Sequence, residues 1–302
     1  MMANQRIYCT LMLAFSLTVI CLFVAKTIDI KTTSKEIGAS KYKLPSGQSN
    51  FALWNVKNFE ERCRPKTLKT LFAFAKNGTV DENNGSVREA KKCWMDALIF
   101  YLNYPLEFSF GSHILPLVAS LWITDGPILE MGSGWYSTPV FHRISLLQRR
   151  RALTAESNYQ WLQHFFFFAS DYHHIYYVNV SEDATPGLSD NINTVYSWDD
   201  IGNQIEDWDV VFIDQAPALR RRIDMERIRA RSKLILVHDT EPRAYGIYQT
   251  HDILITFKAR ASFGEGWTDT YTDLVSDTHP EMVSAAQVLC NWGIELIKTL
   301  NN

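Results

Sequence analysis

The sequence predicts an α/β fold: a doubly wound, Rossmann-like, mainly parallel sheet of about seven strands, the last one antiparallel. From residue 126 onward, short apolar runs alternate with segments of helical length, as in strand–helix–strand units. The chain has 302 residues, of which 46% are hydrophobic, so it can build a sizeable core and is not disordered. Its net charge of −3 lacks the basic excess of nucleic-acid binders, and we expect no nucleic-acid partner.

The first fifty residues predict a membrane anchor and a linker. Residues 7–25 contain no charged residue and as a helix would span roughly 28 Å, about one hydrocarbon core. A cleaved signal peptide is the alternative, but Phe23 is too bulky for the position three residues before a cleavage after Ala25. We therefore expect a short tail at 1–6, a single-pass anchor at 7–25 and a stem at 26–50.

The sequence contains features that predict opposite membrane orientations. Several lysines follow the anchor, and by the positive-inside rule they would place the main domain in the cytosol. Three N-glycosylation sequons, beginning at Asn77, Asn84 and Asn179, favour a lumenal domain instead. Cys63 and Cys93 would form a disulfide in an oxidising lumen, or else remain reduced and half-buried. We expect a lumenal, glycosylated domain in the endoplasmic reticulum or Golgi; the oligomeric state stays open.

Residues 51–125 are predicted to be a helical N-terminal part. Apolar residues recur at helical spacing in three segments, which are 68–75, 87–101 and 114–121. We interpret these leucines and aromatic residues as core.

Residues 126–302 are predicted to form the cofactor-binding α/β domain. The predicted strands are 127–131, 151–155, 174–178, 209–214, 234–239, 253–258 and 271–275. The predicted helices between them are 139–150, 158–169 and 218–231. In doubly wound sheets, ligands bind beyond the carboxyl ends of the strands, so functional residues are expected there.

A glycine-containing turn follows the first strand. Gly132 and Gly134 allow a tight turn and a close approach of a ligand to the backbone. A dinucleotide-binding fingerprint would need a glycine at the position of Ser137, and a GxSxG elbow is excluded by Met131. The turn therefore predicts either a nucleoside cofactor without a required pyrophosphate or an ordinary tight turn.

Glu156 ends the second predicted strand, 22 residues beyond Gly134. A carboxylate there can accept hydrogen bonds from both hydroxyls of a ribose. Such a charged hydrogen bond contributes about 1.5–3 kcal/mol. The alternative is a solvated glutamate near the start of a helix.

These segments resemble the class I S-adenosylmethionine-dependent methyltransferases. Residues 128–138 resemble the first motif of that family, 154–156 followed by Trp161 the acidic second motif, and 208–214 the fourth-strand motif. The resemblance covers roughly residues 112–278. It implies a methyltransferase that uses S-adenosyl-L-methionine.

The resemblance also implies roles for individual residues. Gly132 and Gly134 would border the amino-acid part of the cofactor, Glu130 would orient the turn, and Glu156 would hold the ribose. Two further residues of the turn complete the implied cofactor-binding set, Ser133 and Ser137. Trp135-Tyr136 makes the turn one residue longer than the commoner family pattern, and no third glycine is present.

Three polar residues end the fourth and fifth predicted strands: Asp214, His238 and Asp239. We interpret His238 or Asp214 as a general base that removes a proton from an acceptor hydroxyl. A divalent cation bound by Asp214 and Asp239 is a second, less favoured interpretation. The third is that these residues only cap strands and order loops.

An arginine-rich segment follows Asp214. Arg220 and Arg222 are predicted to bind an anionic or sugar substrate; the alternative is pairing with Asp224 and Glu226. Together, the patterns favour a membrane-anchored methyltransferase that acts on an oxygen of a glycan or small molecule. A catalytically silent fold that serves as a membrane-anchored binding module is the alternative.

Overall fold

The computed structural model of the protein describes residues 53–77, 84–102, 112–180, 192–264 and 269–301. The predicted tail, anchor and stem lie outside these residues. No helix in the described part of the chain combines the length and apolar character that a membrane span requires.

In the described part of the chain, three helices precede the sheet, as predicted. They are α1 (Leu53–Asn77), α2 (Gly85–Leu102) and α3 (Ile114–Trp122). Every residue of α3 is buried, which agrees with a sequence that is apolar on all sides. A disulfide joins Cys63 of α1 to Cys93 of α2, with the two Cα atoms 5.5 Å apart. The structure therefore supports the predicted disulfide and not the alternative of two reduced, half-buried cysteines.

Among the described residues, a single sheet contains eight strands in the order β4-β3-β2-β1-β5-β6-β8-β7. Their bounds are β1 Ile128–Met131, β2 Ala152–Glu156, β3 His173–Val178, β4 Ile192–Val195, β5 Trp208–Ile213, β6 Ser232–His238, β7 Ala259–Phe263 and β8 Thr272–Ser276. The pairs from β4 to β6 are parallel, and only β8 runs against its neighbours. The mainly parallel sheet with an antiparallel last strand is therefore confirmed.

Helices cover both faces of this sheet. They are α4 (Ser137–Gln148), α5 (Tyr159–Leu162), α6 (Trp198–Gly202), α7 (Arg220–Ile228), α8 (Tyr245–Tyr248), α9 (His251–Leu254) and α10 (Pro280–Asn301). A 3-10 helix, Gln163–Phe168, continues α5. Residues of α2, α3, α4 and α10 pack on one face of the sheet, and residues of α6, α7 and α9 pack on the other.

Two strand predictions were wrong. The sheet has one strand more than predicted, because β4 is short and only its two end residues are buried, so it leaves no apolar run in the sequence. The predicted strand at 253–258 is instead α9 and a turn. The buried residues Ile253, Leu254 and Phe257 fit one face of a helix, and the strand β7 begins only at Ala259.

Candidate functional site

The glycine turn after β1 is pressed against the end of β5. Gly132 has φ +93, a left-handed conformation that favours glycine. A Cβ atom at Gly132 would lie 2.6 Å from the carbonyl carbon of Asp214 and 2.7 Å from the nitrogen of Gln215. The Asp214 N–H donates to the Met131 carbonyl at 2.8 Å, which fixes the two strand ends side by side. The turn and Asp214 therefore form one local structure.

Glu156 ties the turn to the end of β2. Its Oε2 accepts hydrogen bonds from the Ser133 N–H at 3.1 Å and the Ser133 hydroxyl at 3.3 Å. Its Oε1 accepts from the N–H groups of Ser157 and Asn158, each at 2.8 Å. Burial raises the pKa of Glu156, and these N–H donors counteract the increase. The carboxylate thus organises the turn, and its predicted contact with a ribose stays a prediction.

Glu130 lies beneath the turn and is fully buried. Its Oε2 accepts hydrogen bonds from Thr154 at 2.6 Å and from Thr138 at 2.9 Å. The Thr138 hydroxyl in turn accepts from the Gly134 N–H at 3.0 Å, so Glu130 contacts the turn through Thr138. Burial raises the pKa of Glu130 to about 8, against the opposing effect of the hydroxyls of Ser137, Thr154 and Thr138. Near neutral pH this carboxyl is therefore mainly protonated.

Two histidines, His173 and His142, extend this buried network of hydrogen bonds. His173 Nε2 lies 2.7 Å from the Thr154 hydroxyl, and its Nδ1 lies 3.4 Å from Nδ1 of His142. Burial lowers the pKa of His173 to about 3, so its ring is neutral. The sequence analysis placed neither histidine in the candidate site, because the contact depends on how α4 packs on β3.

Aromatic side chains support the outer side of the turn. Trp135 and Tyr136, the residues that lengthen it, are 45% and 47% exposed. The Trp135 ring contacts the rings of Trp161 and Phe165, with centroids 5.9 Å and 5.2 Å away. Trp161 also donates its indole N–H to the Ser133 carbonyl at 2.8 Å. The longer turn is thus supported by the helix that follows Glu156.

The ends of β5 and β6 bring Asp214, His238 and Asp239 together. One ligand-capable atom from each lies within 4.8 Å of the others. His238 Nε2 is 3.4 Å from an Asp239 carboxylate oxygen. Asp239 has φ 57, and aspartate is one of the few residues that tolerate this left-handed conformation. The predicted neighbourhood of these three residues is observed, while their catalytic role stays a prediction.

Asp214 is the most exposed of the three, with 29% of its side chain accessible. Burial raises the pKa of Asp214; His238 and Arg221 counteract the increase, and Asp239 adds to it. A carboxylate with a raised pKa is a stronger base than an exposed one. Asp214 is therefore chemically suited to accept a proton.

His238 is oriented by a residue from β8. Its Nδ1 lies 3.0 Å from the Thr272 hydroxyl, which is 2.9 Å from the Ser112 hydroxyl. The ring of His113 contacts the edge of the His238 ring, with centroids 4.5 Å apart. Burial lowers the pKa of His113, and His238 adds to this effect. Residues just before α3 therefore contribute to the site, which the sequence did not reveal.

Arg221 joins the ends of β5 and β6. It is buried, and its guanidinium donates to both Asp214 and Asp239. The sequence analysis named its neighbours Arg220 and Arg222 instead. Since the three arginines are consecutive, only the packing of α7 distinguishes the one that faces the site.

Arg220 and Arg222 form ion pairs with Asp224 and Glu226, which was the alternative to substrate binding in the sequence analysis. Arg220 pairs with Asp224 at 3.0 Å and also with Asp199, and Arg222 lies 3.9 Å from Glu226. Substrate binding by these two residues stays a prediction.

No protein-family model and no curated protein matches the chain. Among solved structures, an O-methyltransferase from Bacillus cereus in complex with SAH is 14% identical, with a TM-score of 0.36, over 74% of this chain and 100% of that one. TrmK of M. capricolum in complex with S-adenosyl-homocysteine is 13% identical, with a TM-score of 0.36, over 58% and 70%. A Methanococcus jannaschii fibrillarin pre-rRNA processing protein is 13% identical, with a TM-score of 0.35, over 53% and 73%. Likeness at this level says nothing about the substrate of this chain.

Proposed function

We propose that this chain is an S-adenosylmethionine-dependent methyltransferase that acts on an oxygen of a glycan or small-molecule acceptor. The observation that carries the proposal is the hydrogen bond from the Ser133 N–H to Glu156 Oε2. It joins a glycine turn and a carboxylate at the tips of adjacent parallel strands, which is where ligands of doubly wound sheets bind. This arrangement suits a nucleoside cofactor, because the turn can contact one part of the ligand while the carboxylate accepts hydrogen bonds from the ribose.

The residues of the turn fit this cofactor. Gly132 carries no side chain, which lets the turn pack directly against the Asp214–Gln215 peptide, and Ser133 and Gly134 follow it in the same turn. An ionised carboxylate has about four lone-pair sites, and Glu156 accepts four hydrogen bonds, two at each oxygen. A ribose hydroxyl would therefore replace one of them, and the longest, from the Ser133 hydroxyl at 3.3 Å, is released when that hydroxyl rotates. When bound, S-adenosylmethionine would supply an electrophilic methyl group.

We assign the deprotonation of the acceptor hydroxyl to residues at the ends of β5 and β6. Asp214 is close to the turn, and partial burial raises its pKa, so it suits the removal of a proton from a hydroxyl. His238, held by Thr272, is the alternative base, and Asp239 faces it. The proton of the acceptor hydroxyl would pass to one of these side chains as the oxygen is methylated.

We further propose that the domain resides in the lumen of the secretory pathway, attached through residues 7–25. The disulfide between Cys63 and Cys93 supports this compartment, because such bonds persist in oxidising environments. A glycan or the hydroxyl of a secreted protein would then be the natural acceptor.

Isothermal titration of the full chain in detergent with S-adenosylmethionine and its demethylated product tests the proposal. We expect both to bind, with dissociation constants well below the millimolar range. Folded protein that binds neither would rule out the proposed cofactor. For the base, Asp214→Asn and His238→Ala should reduce methyl transfer from labelled cofactor to a secretory-pathway extract while cofactor binding persists.

One observation favours the silent binding module as a second candidate. Asp214 and Asp239 are both paired with Arg221, and both ring nitrogens of His238 have neighbours within hydrogen-bonding range or near it. A site whose acid–base groups are all engaged internally can bind a cofactor without turning it over. Cofactor binding together with no methyl transfer to any extract would favour this candidate.

A further inference from the structure

Arg221 hydrogen-bonds the residues at the ends of both β5 and β6. Its Nε donates to the Gln215 carbonyl at 3.0 Å. Nη1 donates to the His238 carbonyl at 2.9 Å and to Asp239 Oδ2 at 3.2 Å. Nη2 donates to the Asp214 carbonyl at 3.1 Å and to Asp214 Oδ1 at 2.9 Å. These bonds match the five N–H donors of a guanidinium, so the side chain is fully engaged.

The guanidinium is also enclosed. The ring of Tyr248 covers it, with the guanidinium carbon 4.2 Å from the ring centroid. The Tyr248 hydroxyl hydrogen-bonds Asp239, so one tyrosine contacts both members of the ion pair. Arg221 is therefore a fixed cation between two carboxylates, held from both sides.

The same carboxylates belong to the cluster that has metal-ligand geometry. Asp214, His238 and Asp239 each offer one ligand atom within 4.8 Å of the others. However, one oxygen of each aspartate is already bound to Arg221. Each carboxylate keeps a second oxygen that Arg221 does not bind, but a divalent cation at those oxygens would lie next to a buried positive charge and be repelled by it.

We infer that Arg221 is a positioning residue that takes the place of a divalent cation between Asp214 and Asp239, so that the cluster works without a metal ion. The assignment of a catalytic role to this cluster rests on the proposed function. The argument against a metal ion does not, because it rests on the position and charge of Arg221.

Removal of the guanidinium should convert the cluster into a metal site. Arg221→Gln frees both carboxylates and leaves His238 beside them. We expect electron paramagnetic resonance of Mn²⁺ to show one ion bound to each Arg221→Gln chain, at least about tenfold tighter than to the wild type. The added Asp214→Asn change should abolish this binding. Folded Arg221→Gln protein that binds Mn²⁺ no better than the wild type would overturn the inference.

Arg150 provides a matched control. It is also buried and donates to backbone carbonyls, those of Gly126, Leu121 and Thr124, but at the opposite ends of the strands. Arg150→Gln should destabilise the fold and create no Mn²⁺ site. Binding of Mn²⁺ by this variant as well would show that loss of a buried arginine acts non-specifically, and would also overturn the inference.

Wild-type protein gives an independent test if Arg221→Gln does not fold. Wild type and an Asp214→Asn/Asp239→Asn variant should bind Mn²⁺ equally weakly. Tighter binding by the wild type would show that the carboxylates hold a metal beside Arg221, and the inference would fail. Cofactor titrations are separate from these measurements, so failure of the proposed function is distinguishable.

Discussion

Gly132 lies directly against the peptide that joins Asp214 to Gln215, at a distance that leaves no room for a side chain. The turn that is proposed to receive the cofactor and the aspartate that is proposed to receive a proton are therefore in backbone contact. A change in the backbone of one should displace the other, whereas a change confined to the Asp214 carboxylate should not.

Gly132→Ala should destabilise the protein by about 1–3 kcal/mol, because alanine is strained at φ +93 and its Cβ would meet backbone rather than a movable side chain. Urea unfolding measures this loss. Gly246→Ala is the control, since a Cβ at Gly246 meets nothing within 4 Å. Equal stabilities of the two variants would contradict the packing described for the turn.

Glu156→Ala should weaken the binding of S-adenosylmethionine about tenfold to a hundredfold, the equivalent of one charged hydrogen bond. Calorimetric titration gives the affinity, and Glu206→Ala, at an exposed position, is the control. Glu156→Gln separates charge from shape, because the amide keeps the size of the side chain. Unchanged affinity of folded Glu156→Ala protein would refute the ribose assignment.

Glu130 should make the free energy of unfolding decrease as the pH rises. Its pKa is about 8 in the folded chain against an ordinary value of 4.5, so between these values the folded state retains the proton and the unfolded state releases it. The free energy of unfolding therefore falls as pH rises through this range, by at most about 1.4 kcal/mol per pH unit.

Glu130→Gln, which mimics the protonated carboxyl, should remove this part of the slope. Urea titrations of both proteins from about pH 5 to 8 measure it. Other buried carboxyls whose pKa is raised, such as Asp224, act on both proteins and cancel in the difference. Parallel pH profiles would show that Glu130 does not carry a raised pKa.

The parts of the site that lie on continuous sequence were predictable. β1 and β5 are fully buried, so they appear in the sequence as apolar runs with functional residues at their ends. The strand order of the sheet then brings Asp214 next to the turn, as parallel doubly wound topology requires.

What could not be predicted depends on tertiary packing. Thr272 reaches His238 because β8 runs antiparallel beside β6, and Arg221 reaches Asp214 and Asp239 because of how α7 packs. Neither contact leaves a spacing pattern in the sequence. β4 was missed for a related reason: an edge strand that is buried only at its ends does not form an apolar run.

Reduction of the disulfide should lower the free energy of unfolding by about 3–4 kcal/mol, the value expected for a bond that closes a loop of 30 residues. Urea unfolding with and without a reductant measures the effect. Cys63→Ser is the control, since its stability should already be reduced and should no longer respond to reductant. Alkylation of Cys63 and Cys93 in native, untreated protein, identified by peptide mapping, would show that the bond does not form.

The sequons should differ in glycosylation because they differ in exposure. Asn84 is exposed at the start of α2, whereas Asn179 is only 5% exposed at the end of β3. A glycan at Asn179 would force a buried side chain into solvent, so we expect Asn84 to be glycosylated and Asn179 to stay unglycosylated in folded protein passed through the secretory pathway. Glycosidase-sensitive gel mobility measures occupancy: Asn84→Gln should remove one glycan, and Asn179→Gln should change nothing. A wild-type chain without any glycan would count against the lumenal orientation, and a glycan on Asn179 would contradict the burial found at that strand end.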